Sequence, residues 1–118
     1  MEKLMSPYSK FEPVLLWKHP NPAQGFAAQE LTLYGLEDYD FVLIYAGYYA
    51  DGALVLPNLL DKSATSFFCN GPCIGCRTVG FNGNQLTIGE GKYYAEYGNG
   101  NATTNNNFCV PMRIYGIK

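Results

Sequence analysis

The ten residues Phe41-Val42-Leu43-Ile44-Tyr45-Ala46-Gly47-Tyr48-Tyr49-Ala50 are apolar at both parities, and they stop at Asp51-Gly52. The run has strand length and is rich in β-branched and aromatic residues, and it lacks the alternation of a half-solvated strand. Both of its faces therefore require cover. A central strand of a sandwich meets that requirement, and so does a strand with one face on its own core and the other on a neighbouring subunit. Asp51-Gly52 reads as a primed hairpin turn into Ala53-Leu54-Val55-Leu56. The run is far too short to span a bilayer, so no membrane partner is expected.

The remaining elements are short and of the same kind. Val14 to His19 is a strand that Pro20-Asn21-Pro22 ends, because proline removes ladder donors. In Gly25 to Tyr34, Leu31 and Leu33 share one face and Thr32 takes the other. Glu37, Asp38 and Asp40 belong to a loop. Ser63 to Cys69 is a strand, Arg77 to Phe81 meets Gln85 to Ile88 across Asn82-Gly83-Asn84, and Lys92 to Tyr97 is a further short strand. Gly98 to Asn107 is an exposed loop of Asn, Thr and Gly. In the closing segment Val110, Met112 and Ile114 alternate with Pro111, Arg113 and Tyr115, a half-buried strand. No segment keeps a helical period beyond about two turns. The fold expected is all-β, an antiparallel β-sandwich with no substantial helix, of which a jelly roll is one form. Residues 1–13 are polar and read as an N-terminal extension or anchor, leaving 14–118 as a single β-sandwich domain.

Chemistry is hard to build from these residues. Cys69-Asn70-Gly71-Pro72-Cys73-Ile74-Gly75-Cys76 has the spacing C-x3-C-x2-C, and Cys109 stands apart. Cys69, Cys73, Cys76 and Cys109 are candidates for a structural zinc, or for a disulfide in an oxidising compartment. Free thiols in a turn and a core strand are the expectation, with no metal and no cofactor. His19 is the sole histidine, so no multi-histidine metal site is possible. It reads as a surface or turn residue. No catalytic triad assembles around it, and no G-x-S-x-G motif exists. Gly89-Glu90-Gly91-Lys92 has Tyr93 where a phosphate loop needs Ser or Thr, and it reads as a turn. The chain is expected not to be an enzyme. Its eight Lys and Arg against ten Asp and Glu form no basic stripe, which argues against nucleic acid. Residues 1–7 lack an apolar secretory region, so synthesis and retention in a cytoplasm are expected.

Ten of the residues are Tyr. Tyr45, Tyr48, Tyr49, Tyr93, Tyr94 and Tyr97, with Tyr115 beside them, exceed what one small core hides easily. They are the candidates for a subunit interface or a ligand surface, since tyrosine offers rigid apolar area with a polar tip.

Four segments, Leu15-Leu16-Trp17-x-x-Pro20-Asn21-Pro22, Phe26-Ala27-Ala28-Gln29, Tyr39-Asp40-Phe41-Val42-Leu43-Ile44 and Cys109 to Lys118, together cover about a quarter of the chain. In them the chain resembles a small module encoded among virion structural genes of tailed bacteriophages and of prophages of Gram-positive bacteria. The resemblance implies a β-rich virion protein made in the bacterial host cytoplasm. It would be a homo-oligomer, most naturally a homotrimer, that contacts other virion proteins. An exposed tail fibre or receptor-binding component that touches a host cell-surface glycan is the leading expectation. A capsid decoration or head-fibre protein anchored by the N-terminal extension is the alternative, and a small phage inhibitor of a host enzyme is a reading from another class.

Overall fold

The computed structural model describes residues 12–47, 52–58, 62–70, 73–94 and 103–118, with the backbone alone for 52, 64–70 and 73–74. Its strands are β1 (Val14–Lys18), β2 (Gln29–Thr32), β3 (Phe41–Gly47), β4 (Gly52–Pro57), β5 (Ser63–Asn70), β6 (Cys73–Asn82), β7 (Gln85–Ile88), β8 (Lys92–Tyr94), β9 (Thr103–Thr104) and β10 (Val110–Ile117). Among the described residues helix is limited to two three-residue 3-10 turns, Pro22–Gln24 and Leu36–Asp38. The fold is all-β and antiparallel, and its two sheets face each other as a sandwich. One sheet runs in the order β1-β10-β3-β4, the other in the order β2-β7-β6-β8-β9 with β5 also on β6.

Between the sheets lies one core. The four-stranded sheet contributes Val42, Ile44, Val110 and Ile114, and the second sheet contributes Val79, Phe81, Leu86 and Ile88. Phe26, Leu33 and Leu36 close its margin from the connections. Leu33 is buried and Thr32 exposed, as the alternation in that segment requires.

Two bulges shape the four-stranded sheet. The β1–β10 register shifts between Leu15 and Trp17, which lets Leu16 and Trp17 both pack on the core. The β10–β3 register shifts between Pro111 and Arg113, so Val110 and Pro111 are both buried and strict alternation resumes only beyond Met112.

Two turns differ from expectation. In the β3–β4 ladder Ala46 pairs with Gly52 and Tyr45 with Ala53. Gly52 is thus the first residue of β4, and the connection is longer than the two-residue Asp51-Gly52 turn. The reason is parity. Leu54 and Leu56 pair with Ile44 and Val42 and pack on the core side, whereas a two-residue Asp51-Gly52 turn would move them to the other face. In the β6–β7 hairpin Asn82 pairs with Gln85, which leaves Gly83-Asn84 as the turn, with Gly83 at φ +59. A positive φ at the first central position alone is the type II′ pattern. The stretch after Cys69 also differs. Asn70 pairs with Cys73 and Cys69 with Ile74, so Cys73 to Cys76 continue a strand instead of forming a cysteine-rich loop.

The end of β10 is held by a close ring contact. A Cβ at Gly116 would lie 2.5 Å from the Tyr39 ring, and the Lys118 amine lies 5.5 Å from that ring's centroid. Gly116→Ala should cost about 2 kcal/mol in urea unfolding by overpacking this spot. The cost should shrink in a Tyr39→Ala background, where the ring is gone.

Candidate functional site

Register aligns the outward residues of the four-stranded sheet into rows. Leu15 pairs with Tyr115, Tyr115 with Leu43, and Leu43 with Val55, which makes an unbroken apolar row across all four strands. On one side of it lie Ile117, Phe41 and Pro57, paired in the same way. On the other lie Lys18, Arg113, Tyr45 and Ala53. Leu15 is 50% exposed, Val55 53%, Phe41 43% and Tyr45 39%. In the described part of the run, Val42, Ile44 and Ala46 are buried on the inner face, and on the outer face Phe41 and Tyr45 are exposed while Leu43 between them is buried. Tyr45 meets Tyr115 edge-on at 5.8 Å between centroids, and the Arg113 guanidinium lies 5.5 Å from the Tyr45 ring. These contacts fix the aromatic rings in place at the cationic end of the sheet.

The second sheet divides along one edge of β6. Val79 to Asn82 pair with β7, whereas Ile74 to Cys76 pair with β8. At the division an open groove of about 520 Å³ is lined by Cys76, Arg77, Thr78, Glu90, Lys92 and Tyr94. Glu90 and Lys92 form an exposed ion pair at 3.6 Å. One half-buried aromatic ring stands beside a carboxylate, an ammonium and a hydroxyl, so the groove offers both apolar contact area and a few polar groups.

Arg77, behind this groove, is the buried charged residue among those described. Its Nε donates to the Phe108 carbonyl at 3.1 Å, Nη1 to Gly89 at 2.8 Å and Nη2 to Asn106 at 3.1 Å. Its guanidinium lies 5.4 Å from the centroid of the Phe26 ring. The three carbonyls belong to two connections, so the side chain staples Gly89 and the 106–108 segment to β6. The Asn106 carbonyl also accepts from Phe26 N–H at 2.9 Å, and Asn107 N–H donates to Asn105 Oδ1 at 2.8 Å. The part of the 98–107 loop that is described is exposed at its side chains yet tied down along its backbone.

The cysteines separate. Cys76 and Cys109 are buried free thiols, and the side chains of Cys69 and Cys73 lie outside the described residues. Among the described residues no three Cys, His, Asp or Glu side chains gather as a metal site. Burial pushes the Cys109 thiol up to about 12, with Arg77 pulling it down and Cys76 pushing it further up. Burial also raises Cys76, opposed by Lys92. Such thiols stay protonated, which makes them poor nucleophiles. Cys109 has φ +50, an uncommon value for a residue with a side chain, where the 105–108 turn enters β10.

The tyrosine candidates are not brought together. Tyr45 lies on the outer sheet face and Tyr94 in the groove, on different sheets. Tyr93 packs on Phe108 at 4.4 Å between centroids. Tyr48, Tyr49 and Tyr97 lie outside the described residues, as does most of the N-terminal extension. His19 is half-buried and structural. Its Nε2 donates to the Gly25 carbonyl at 2.7 Å, its Nδ1 accepts from Asn21 N–H at 3.0 Å, and its ring contacts Trp17 and Phe26. Sequence reasoning missed Leu15, Leu43 and Val55 as partners of Tyr115. The both-parity run was the available signal, but the register needed to align the row is a tertiary quantity. Arg77 carried no signal at all.

No family model, curated protein or solved structure matches this chain, so its own residues carry the functional argument.

Arg77→Met should cost about 3 kcal/mol, because it removes the donor for three carbonyls at once, and Arg77→Lys should recover little, since one ammonium cannot span them. Thermal or urea unfolding measures both. The Cys109 shift sets a pH dependence. An unfolded thiol ionises near 9.0 while the native one holds its proton to about 12. The native state then binds more protons above pH 9, and stability falls as pH rises. Burial pulls Arg77 down to about 10, and its contribution has the opposite sign above that pH. Between pH 9 and 10 the loss should be at most about 1.4 kcal/mol from Cys109, and Cys109→Ala should flatten it.

Proposed function

We propose that this protein is a non-enzymatic structural module of a bacteriophage virion, of the exposed tail-fibre or receptor-binding kind. It assembles with copies of itself through the open face of the β1-β10-β3-β4 sheet. The observation that supports this most is the apolar row Leu15–Tyr115–Leu43–Val55, flanked by Phe41 and Tyr45. A contiguous apolar sheet face in a chain with a complete core of its own is the mark of an interaction surface. Covering each half-exposed side chain contributes about 1–2 kcal/mol. The virion assignment comes from the resemblance of the framework segments. With that face used for assembly, the groove at Tyr94 on the other sheet is left to contact a host-surface glycan, by ring stacking and hydrogen bonds to Glu90, Lys92 and Thr78.

The test is sedimentation velocity of the full chain over a wide concentration range. Self-association is expected, and Val55→Asp should return the protein to monomer without loss of unfolding free energy, because Val55 is exposed. A wild-type protein that stays monomeric at every concentration overturns the assembly reading, and turnover of a bound glycan overturns the non-enzymatic one.

A further inference from the structure

The β1–β10 ladder sets Lys18 directly opposite Arg113, and the β10–β3 ladder sets Arg113 opposite Tyr45. Opposed residues of neighbouring strands point to the same side, so the two cations and the ring share the outer face. Like charges at opposed positions destabilise a sheet, because their Cβ atoms stand only ~5 Å apart. Both cations are exposed, and no ion pair joins either to an acid among the described residues. Around them the surface is concave. A cleft of about 470 Å³ is lined by Lys18, Arg113 and Tyr45 together with His19, Pro22 and Met112, and among the described residues no acid lines it. The Arg113 guanidinium lies 5.5 Å from the centroid of the Tyr45 ring, which Tyr115 braces edge-on at 5.8 Å. Stacked in this way, its planar donors are held in place. His19 is a wall of the cleft and offers no free ring nitrogen, since one is engaged with the Gly25 carbonyl and the other with Asn21 N–H.

We propose that this cleft binds a phosphorylated small organic molecule, with the phosphate between Lys18 and Arg113 and the carbon part against Tyr45, Pro22 and Met112. Charge favours phosphate. A phosphate monoester carries about −1.5 to −2 near neutral pH, which matches two cations, whereas a carboxylate neutralises only one. Geometry agrees, because the guanidinium fork takes two phosphate oxygens and the lysine meets the third as a point charge. Size and lining call for an organic part. A bare phosphate would leave most of the cleft empty and the Tyr45 and Met112 side chains uncovered. The ligand also removes the like-charge repulsion across the ladder, so binding relieves a cost that the unliganded sheet carries. The cleft lies beside the apolar row, at its Gly47 end, and is complete within one chain, so it stands apart from self-association.

Isothermal titration calorimetry of the full chain at low salt tests this, with phenyl phosphate, benzoate and inorganic phosphate as probes. Phenyl phosphate should bind with a Kd on the order of 1 mM. Benzoate and inorganic phosphate should bind about tenfold more weakly, since each lacks one half of what the cleft offers. Lys18→Gln and Arg113→Gln should each weaken phenyl phosphate about tenfold, and Arg113→Lys should recover little, because an ammonium lacks the fork. Urea unfolding without ligand separates this loss from damage to the fold. Lys18→Gln removes one of two opposed like charges, so it should be at least as stable as wild type while it binds more weakly. Absence of binding, benzoate or inorganic phosphate binding as tightly as phenyl phosphate, or affinity that survives both glutamine substitutions would overturn the proposal.

Discussion

A single buried guanidinium joins parts of this fold that the ladders leave separate. Among the described residues no carboxylate pairs with Arg77. Its charge is met by three backbone carbonyls and one aromatic face. Desolvating a cation is expensive unless its donors are filled, so the carbonyls have to be held where the side chain can reach them. The framework around it does this. Phe26, whose ring faces Arg77, is held by Trp17 and His19 at the exit of β1, and its N–H goes to Asn106. The exit of β1, the turn before β10 and the division of β6 thus meet at one side chain. The strain at Cys109 falls in the same place, where the chain leaves the staple and enters the sheet.

The strands were legible in the sequence and their partners less so. The run from Phe41 announces a strand through its composition, and the hairpin at Gly83 announces itself through turn chemistry. Both signals are local. The β3–β4 connection was misread because Asp-Gly is a strong local turn, yet burial of Leu54 and Leu56 decides the register. The strand character of Cys73 to Cys76 was hidden in the same way. Glycine and cysteine say little by themselves, and pairing with β5 and β8 makes the segment extended. Of the candidate tyrosines, Tyr45 and Tyr94 occupy surfaces suited to contact. The apolar row could not be read beforehand, because it depends on three ladders at once.

The sandwich divides its work between faces. Inner positions of both sheets form the core, and the outer face of the four-stranded sheet keeps an apolar row with Lys18 and Arg113 beside it. The second sheet opens a groove where β6 passes from one partner to the next.

Pairing of β1 with β10 has a mechanical consequence. Val14 stands opposite Gly116, so the beginning of the first strand and the end of the last leave the same rim of the sheet. The hydrogen bonds of an antiparallel pair lie perpendicular to its strands. Tension applied between these two points would act along those bonds and open them one at a time, as a zipper opens, instead of shearing the ladder at once. Held by either end alone, the domain would bear no such tension, and its weakest direction would not be tested.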